Sequence, residues 1–324
     1  MRACRCSDAR PARPMTHPKG ETKMKKNTVT AKLFGIKAIP YWYIAPFVII
    51  YLIFQLAPII YTFVISLFSW NGFDSANRAF IGLQNYASLL HDARFWKALK
   101  NTVVLMVLII PAQLILGMLL SLLLYDKRTK HAGLFRLFCF LPYLTAPVAV
   151  GVIFSILFDT NYGVINKILG LFGVAAVGWT TAPFPAKMLV ALVVIWQNFG
   201  YSAILFMAGL TNINPDLLEA ASIDGANSWK KFFHVTLPLL RPTVIFVVLT
   251  TMISCFQLFD VPYLMFPNMV GGPDSAVLTG MGLMYDTAFG SVMQFGYGAA
   301  ISYALFLVIA IISWVSNKIM AEKE

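Results

Sequence analysis

The sequence predicts an all-α membrane protein with six transmembrane helices and both termini in the cytoplasm, and three observations support this prediction. Apolar residues (AVILMFWYC) make up 59% of the 324 residues and charged residues only 12%, about half the ~25% charged share of an average soluble domain. Six apolar runs are long enough to cross a bilayer, and Lys and Arg gather on one side of them. This composition excludes an ordinary soluble enzyme and also a disordered chain, which needs low hydrophobicity and high charge.

The six apolar runs are each predicted to form one transmembrane helix. A helix needs about 20 mostly apolar residues to cross a bilayer, and each run reaches that length with at most one charged residue. The runs are 43–70, 102–125, 137–158, 188–210, 243–266 and 298–317. Prolines in the first three predict kinks, which a membrane bundle tolerates because neighbouring helices satisfy the freed backbone groups.

The distribution of Lys and Arg orients these helices. With the N-terminus inside, the inner segments hold 19 of these residues and the outer loops hold 6. Cytoplasmic loops carry the excess of Lys and Arg, so both termini are predicted to be cytoplasmic. Residues 1–40 alone contain ten Lys or Arg and two acids, so most of the formal charge lies in one arm and does not indicate nucleic acid binding.

Two regions follow from this pattern: a basic cytoplasmic arm (1–40) and a transmembrane domain (41–324) that contains the loop 211–242. Met24-Lys25-Lys26 looks like an ordinary bacterial start. We therefore expect residues 1–23 to be a mispredicted or dispensable extension of the native chain. The alternative is an arm that binds anionic lipid.

The loop 211–242 between the fourth and fifth runs has the local pattern of a helix-turn-helix. Asn214 followed by Pro215 provides the two preferred residues of a helix start in order. Asp224-Gly225 predicts a turn, because Gly tolerates positive φ, and a second short helix follows. The sequence therefore predicts a stiff projection on the cytoplasmic side.

The same loop resembles the EAA signature of the membrane subunits of bacterial ABC importers. The matching residues are Glu219-Ala220-Ala221, Asp224-Gly225-Ala226, Phe232, Leu237-Pro238 and Pro242. In that family the loop is a coupling helix that sits in a groove of the ATP-hydrolysing subunit. The resemblance implies an ATPase-coupling role for Glu219, Ala220, Ala221, Asp224 and Gly225. Within this set, Glu219 would pair with the ATPase and Gly225 would permit the turn.

Further motifs resemble carbohydrate permeases related to the larger membrane subunit of the maltose transporter. They lie at 66–72, 80–86, 95–102, 271–273 and 296–300. The resemblance implies a type I ABC importer permease bundle in the bacterial inner membrane. It also implies its partners: a second homologous permease chain, two ATP-binding subunits and an extracytoplasmic solute-binding protein. Residues 267–270 depart from the Leu-Thr that is more common in the family, and the large outer-loop domain of the maltose protein is absent. Both departures leave the sugar open.

Polar residues within the fourth and fifth runs are candidate substrate ligands, because polar side chains inside a span often face a cavity. Asn198 and Tyr201 share one helix face, and Ser254 and Gln257 share another. Neutral amides, hydroxyls and aromatic rings suit an uncharged, polyhydroxylated ligand. The alternative is that these residues form hydrogen bonds between helices, which are common in membrane bundles.

A second set of residues is predicted to act at a gate or near the outer surface. Asp260 lies 17 residues after Thr243, about 25 Å along a continuous helix, so we expect it near the outer surface rather than on the substrate. Tyr263 continues the line of polar residues. Gly271, Gly272 and Pro273 follow the fifth run and belong to the permease resemblance.

The chain is not predicted to be an enzyme. It contains no G-x-x-x-x-G-K-[ST] phosphate loop, so we expect ATP and Mg²⁺ to be bound and ATP hydrolysed by partner subunits, with no cofactor on this chain. The four histidines and four cysteines show neither a catalytic arrangement nor the spacing of a metal site. No catalytic or metal-binding residue is predicted.

These observations predict the transmembrane permease subunit of an ATP-driven, binding-protein-dependent importer that moves a neutral mono- or oligosaccharide inward by alternating access. One alternative is a permease for glycerol 3-phosphate or another polyol, although an anionic ligand favours Arg or Lys in the cavity and the last three runs contain none. The other alternative is an ion-coupled secondary sugar carrier. Such carriers tend to show internal repeats and ionisable groups at the membrane centre, and neither is evident here.

Overall fold

The computed structural model describes residues 39–72, 78–125, 132–266, 270–291 and 293–321. The predicted basic arm lies outside the described residues, apart from its last two residues. Pro267, Asn268 and Met269, three of the four residues that depart from the family pattern, also lie outside them. The chain divides into two units, Met1–Pro58 and Ile59–Glu324.

The described part of the first unit is helical. Helix α1 (Ile39–Tyr51) continues into a π-helical segment (Leu52–Leu56) and then into α2 (Ala57–Ser66). Pro46 lies within α1. Large apolar side chains of α1, among them Tyr43 and Phe47, are more than 70% exposed, as expected of a helix surrounded by lipid or by another chain.

The described part of the second unit consists of helices and one small antiparallel sheet that pairs Phe68 with Phe80 and Ser69 with Ala79. Its elements in chain order are β1 (Phe68–Ser69), β2 (Ala79–Phe80), α3 (Gln84–His91), α4 (Ala93–Tyr125), α5 (Ala132–Leu144), α6 (Pro147–Leu157), α7 (Val164–Leu171), α8 (Pro183–Thr211), α9 (Pro215–Ile223), α10 (Ser228–Lys231), a π-helical segment (Phe232–Thr236), α11 (Leu237–Leu239), α12 (Arg241–Phe256), α13 (Asp260–Met265), a 3₁₀ turn (Pro273–Ser275), α14 (Gly280–Phe289) and α15 (Phe295–Ala321). We call the end of this unit that holds residues 211–242 the loop end, and the opposite end the far end.

The described residues contain four continuous helices and two bent helix pairs with the length and composition of membrane spans. The continuous ones are Tyr41–Ser66, Ala93–Tyr125, Pro183–Thr211 and Phe295–Ser316. The bent pairs turn by 91° after Leu144 and by 66° after Leu239. Counting each pair as one span gives the predicted six.

The prediction of one helix over 137–158 is wrong, because the chain breaks between α5 and α6. Ala146 has extended backbone angles of φ −61° and ψ 127°. It precedes Pro147, and the residue before a proline disfavours the helical region. Pro142 lies inside α5 without ending it, so the second proline determines the break.

The prediction of one helix over 243–266 is also wrong. Helix α12 ends at Phe256 and α13 begins at Asp260. Pro262 has no N–H to offer the carbonyl of Leu258 four residues earlier, and the hydroxyl of Thr279 donates to that carbonyl instead at 2.6 Å. The premise that a continuous helix carries Asp260 and Tyr263 on the same face as Ser254 and Gln257 therefore fails.

Helix α8 is the most buried of the four continuous spans, and small residues allow its neighbours to approach it closely. A Cβ added to Gly117 of α4 would lie 2.9 Å from Cβ of Ser202 in α8. A Cβ added to Gly200 would overlap the backbone carbonyl of Cys139 in α5. Contacts of this kind are typical of helix packing in membranes, and they fix α4 and α5 against the middle of α8.

Three buried asparagines hold the far end of the second unit. Each side-chain amide donates to two backbone carbonyls that helices and strands leave unpaired. Asn85 donates to Ser66 and Phe68, Asn101 to Ser275 and Leu278, and Asn166 to Thr160 and Val177, all at 2.7–3.1 Å. Buried carbonyls need such partners, and Asn85 supplies them where the first predicted run stops being helical, at Ser66 rather than at 70.

Candidate functional site

One cavity of the second unit brings together the four residues predicted as substrate ligands. It encloses about 250 Å³ and is lined by parts of α4, α5, α8, α12 and α13. Its polar lining residues are Gln113, Tyr143, Gln197, Asn198, Tyr201, Ser202, Thr250, Thr251, Ser254, Gln257 and Asp260. Asp260 is the one lining residue with a formal charge among these described residues, so the cavity offers mainly neutral hydrogen-bonding groups. The role of Asn198, Tyr201, Ser254 and Gln257 as ligands stays a prediction.

Helix α8 supplies one wall of this cavity. The Asn198 amide donates to the Val194 carbonyl one turn earlier at 2.9 Å. The ring of Tyr201 stacks on Tyr143 with centroids 4.7 Å apart and planes 10° apart. Because Gly200 lets α5 approach α8, this stack forms a flat aromatic surface at the cavity, next to the amide of Asn198.

Helix α12 supplies the facing polar groups. Ser254 is exposed and donates to the Thr250 carbonyl at 2.9 Å. Gln257 is exposed just past the end of α12. Its N–H still donates to the Ile253 carbonyl at 3.1 Å, so Gln257 lies on the helix face of Ser254, as predicted.

Among the lining residues that the sequence prediction missed, Gln113 and Thr251 are bonded to each other. The Thr251 hydroxyl donates to the side-chain oxygen of Gln113 at 3.0 Å, and both residues are buried. This bond links α12 to α4 at the cavity. Gln113 is an amide within the second apolar run, so the criterion applied to the fourth and fifth runs could have found it.

Asp260 lies closer to the predicted ligands than expected. It is exposed at the first position of α13 and lines the same cavity as Asn198. The expected rise of about 25 Å from Thr243 assumed a continuous helix, and that assumption is wrong because α12 ends at Phe256. Its role at a gate stays a prediction.

The other gate candidates do not line the cavity. Tyr263 stacks on Phe259, with ring centroids 4.9 Å apart. Gly271 and Gly272 have φ of +82° and +69° and start a tight turn that Pro273 continues. A Cβ on Gly271 would lie 2.5 Å from Cβ of Leu278, so this turn has room only for glycine there.

The loop 211–242 forms two short helices joined by a turn, as predicted. The Asn214 side chain accepts from the Asp216 N–H at 3.0 Å and caps α9. Gly225 has φ +79°, and the N–H of Ala226 donates to the Ala221 carbonyl at 2.9 Å, the pattern of a helix ended by a left-handed residue. A Cβ on Gly225 would meet nothing within 4 Å, so the backbone angle, and not space, favours glycine.

One side of this loop is anchored and the other is free of the bundle. Leu218, Phe232 and Leu237 pack against a buried cluster at the loop end that includes Phe206, Leu240 and Val247. Glu219 and Asp224 are exposed, and Ile223 of α9 is 82% exposed. The loop therefore presents carboxylates and a large apolar side chain to its surroundings.

The comparisons with known proteins agree with this architecture. A family model described as "Binding-protein-dependent transport system inner membrane component" matches residues 93–321. The lactose transport system permease protein LacF of Rhizobium radiobacter is 34% identical over 84% of this chain and 91% of its own. The arabinooligosaccharides transport system permease protein AraP of Bacillus subtilis is 34% identical over 88% of this chain and 90% of its own.

Two further similarities extend the comparison. The trehalose/maltose transport system permease protein MalF of Thermococcus litoralis is 30% identical over 87% of this chain and 96% of its own. A chain of a bacterial alginate ABC transporter, solved with an alginate-bound periplasmic protein, has a TM-score of 0.75 at 21% identity, over 89% of this chain and 96% of that one. At this identity the structural match concerns the fold alone. The chain belongs to the family of inner membrane components of binding-protein-dependent transport systems, the permease subunits of ABC transporters.

Proposed function

We propose that this chain is the permease subunit of an ATP-driven importer for a neutral sugar. The observation that carries the proposal is the cavity at α8 and α12, where amides, hydroxyls and the Tyr143–Tyr201 stack surround about 250 Å³. Such groups can donate to and accept from sugar hydroxyls, and the rings suit the apolar face of a sugar ring. Relatives that serve lactose, arabinooligosaccharides and trehalose or maltose support the substrate class.

Loop 211–242 is the contact for a separate ATPase subunit in this proposal. Its packed side joins it to α8 and α12, two of the helices that line the cavity, while Glu219, Ile223 and Asp224 remain available on the other side. Closure of two ATPase subunits, which bind ATP and Mg²⁺, would pull on this loop and reorient both helices. Glu219, Ala220, Ala221, Asp224 and Gly225 form the coupling surface.

A second, homologous permease chain completes the translocation pathway. The cavity volume of about 250 Å³ lies just below the ~300–1,000 Å³ typical of complete ligand pockets. Its residues Ser254, Gln257 and Asp260 are exposed. A second bundle facing these residues would enclose the sugar and alternate its access between the two sides of the membrane.

The proposed complex lies in a bacterial inner membrane with both termini of this chain in the cytoplasm, as the excess of Lys and Arg in the inner segments favours. A solute-binding protein then delivers sugar at the far end, and the ATPases act at the loop end. The bias between the two access states comes from ATP and from the loaded binding protein, because a ligand that fits both states equally shifts nothing.

The charge of the cavity distinguishes the sugar from the alternative substrates. A phosphorylated polyol favours Arg or Lys, and neither occurs among the described lining residues. A proton- or sodium-coupled carrier would need an ionisable group that titrates during transport. Asp260 is the sole lining candidate, and it lies at the α13 end of the cavity.

Reconstitution tests the proposal. The chain would be placed in proteoliposomes with the second permease, ATPase subunits and binding protein encoded beside it, and uptake of radiolabelled lactose, maltose and trehalose would be measured. We expect uptake of at least one sugar that needs both ATP and the binding protein. Uptake by this chain alone, driven by an ion gradient without ATP, would contradict the proposal.

A further inference from the structure

A second polar cavity lies at the far end of the second unit, apart from the cavity at α8 and α12. It encloses about 540 Å³, and its lining residues are Ser69, Trp70, Asn71, Asn85, Ser88, Gln294 and Tyr297. Like the first cavity, it combines amides and hydroxyls with aromatic rings, and no described lining residue carries a formal charge. The two cavities therefore offer the same chemistry to a ligand.

A continuous row of aromatic rings joins the two cavities. We call this row the aromatic ladder: Trp70, Phe295, Phe289, Tyr285, Phe259 and Tyr263. From Trp70, which lines the far-end cavity, successive ring centroids are 5.9, 5.4, 5.2 and 4.5 Å apart as far as Phe259, which lines the cavity at α8 and α12. Tyr263 stacks on Phe259 at 4.9 Å and meets Tyr285 at 5.1 Å.

The backbone fixes the far-end start of the ladder. The N–H of Gly296 donates to the carbonyl of Trp70 at 3.3 Å, which ties the start of α15 to the segment after β1. Gly72 has φ +87°, and the Phe295 ring occupies the place where a Cβ on Gly72 would lie. Trp70 and Phe295 are thus held together by two glycines that no larger residue could replace without a backbone shift.

The rings of the ladder are not buried as an ordinary aromatic core would be. Phe289 is 54% exposed and Tyr263 is 39% exposed, and Trp70, Phe259, Tyr285 and Phe295 are half-buried. Aromatic rings that serve packing alone gain from full burial. The open ring faces lie between two cavities that can hydrogen-bond to hydroxyl groups.

We propose that the far-end cavity and the aromatic ladder form a second carbohydrate subsite, which holds a sugar on its way to the cavity at α8 and α12. A sugar ring stacks its C–H face on an aromatic ring and directs its hydroxyls to surrounding polar groups such as the amide of Gln294. The repeated short spacing lets the sugar pass from one ring to the next without full rehydration. This inference rests on the proposed function, because it takes the same substrate class and direction of transport.

Saturation-transfer NMR on the complete importer in nanodiscs, without its binding protein, tests the subsite. The probes are lactose and maltose, and the aromatic protons of the protein are irradiated. The variants are Phe289→Leu, which keeps apolar bulk but removes the ring, Phe289→Tyr, which keeps the ring, and Gln294→Ala. The matched control is Phe184→Leu, since Phe184 is a 71% exposed aromatic residue at the far end but outside the ladder.

We expect saturation transfer to the ring protons of at least one sugar. Phe289→Leu should weaken the affinity about fivefold, the loss expected for one aromatic stacking contact, and Gln294→Ala should weaken it as well. Phe289→Tyr and Phe184→Leu should retain the wild-type affinity. Transfer that persists in Asn198→Ala but is weakened in Phe289→Leu would place the sugar on the ladder rather than in the first cavity.

Three results would overturn the subsite: no transfer to either sugar, an equal loss in Phe184→Leu and Phe289→Leu, or unchanged sugar binding with a lost stimulation of ATP hydrolysis by the binding protein. The last result would assign the ladder to protein docking. ATP-driven sugar uptake by the wild-type complex is measured in parallel. Sugar uptake without saturation transfer from the aromatic protons would contradict the subsite and leave the proposed function intact. Absence of ATP-driven uptake would contradict the proposed function itself.

Discussion

The hydroxyl of Thr279 donates to the backbone carbonyl of Leu258 at 2.6 Å, at the point where the chain breaks between α12 and α13. The same hydroxyl oxygen accepts from the N–H of Gly282 at 3.1 Å and caps α14. One buried side chain therefore satisfies two backbone groups that would otherwise lack partners. This links the start of α14 to the break between α12 and α13.

Replacement of Thr279 by valine should destabilise the protein. Valine has nearly the same shape but leaves the Leu258 carbonyl and a helix N-terminus without partners, a loss of about 1–3 kcal/mol. Thr279→Ser, which keeps the hydroxyl, should lose much less. Thermal unfolding in detergent compares the two variants, and equal midpoints for valine and wild type would show that the hydroxyl does not hold the break.

Gly200→Ala should disrupt the packing of α5 on α8. The added methyl group would overlap the Cys139 carbonyl, and because a backbone atom cannot rotate away, we expect a loss of about 1–3 kcal/mol. Gly133→Ala in α5 is the matched control, since nothing lies within 4 Å of its added Cβ. A midpoint of unfolding for Gly200→Ala as high as that of Gly133→Ala would contradict the close approach.

Asn198→Ala and Gln257→Ala should abolish or alter sugar uptake while leaving the complex assembled. Each change removes an amide from the cavity at α8 and α12, and a hydrogen bond in such a site is worth about 1 kcal/mol, or roughly fivefold in affinity. The measurement is ATP-driven uptake in proteoliposomes together with subunit recovery after purification. Unchanged uptake kinetics in both variants would remove these residues from the list of ligands.

Gly225 should tolerate asparagine better than valine. The φ of +79° is unfavourable for a β-branched residue and acceptable to asparagine, whereas space around the site is open. We expect Gly225→Val to reduce sugar-stimulated ATP hydrolysis severalfold by distorting the turn, at a strain of about 1–2 kcal/mol. Gly225→Asn should retain most of it, and equal activity of the two variants would show that the turn angle is unimportant.

The sequence allowed the number of spans and the shape of the loop 211–242 to be predicted, because both depend on local signals. Apolar length determines the spans, and Asn214-Pro215 and Gly225 determine the helix start and the turn. The two bends could not be placed in this way. Proline marks them, but Pro142 stays inside a helix while Pro147 starts a new one, and tertiary partners decide between these outcomes.

The candidate site could be predicted in its composition but not in its geometry. Asn198 and Tyr201 lie on one face of α8 as the helix period requires. Asp260 lines the same cavity from the start of a separate helix, α13, and Thr279, some 20 residues later in the chain, donates to the Leu258 carbonyl at the break before it. No local pattern predicts such a contact, and the same holds for the Gln113–Thr251 bond between α4 and α12.

Glu219→Lys tests whether loop 211–242 couples a separate ATPase to this bundle. The measurement is the ATPase activity that co-purifies with the tagged chain from native membranes, with Asn161→Lys at the far end as the control. We expect Glu219→Lys to lose the co-purifying ATPase and ATP-driven uptake, whereas wild type and Asn161→Lys keep both. Full retention of ATPase and uptake in Glu219→Lys would show that the loop does not couple the ATPase to this bundle.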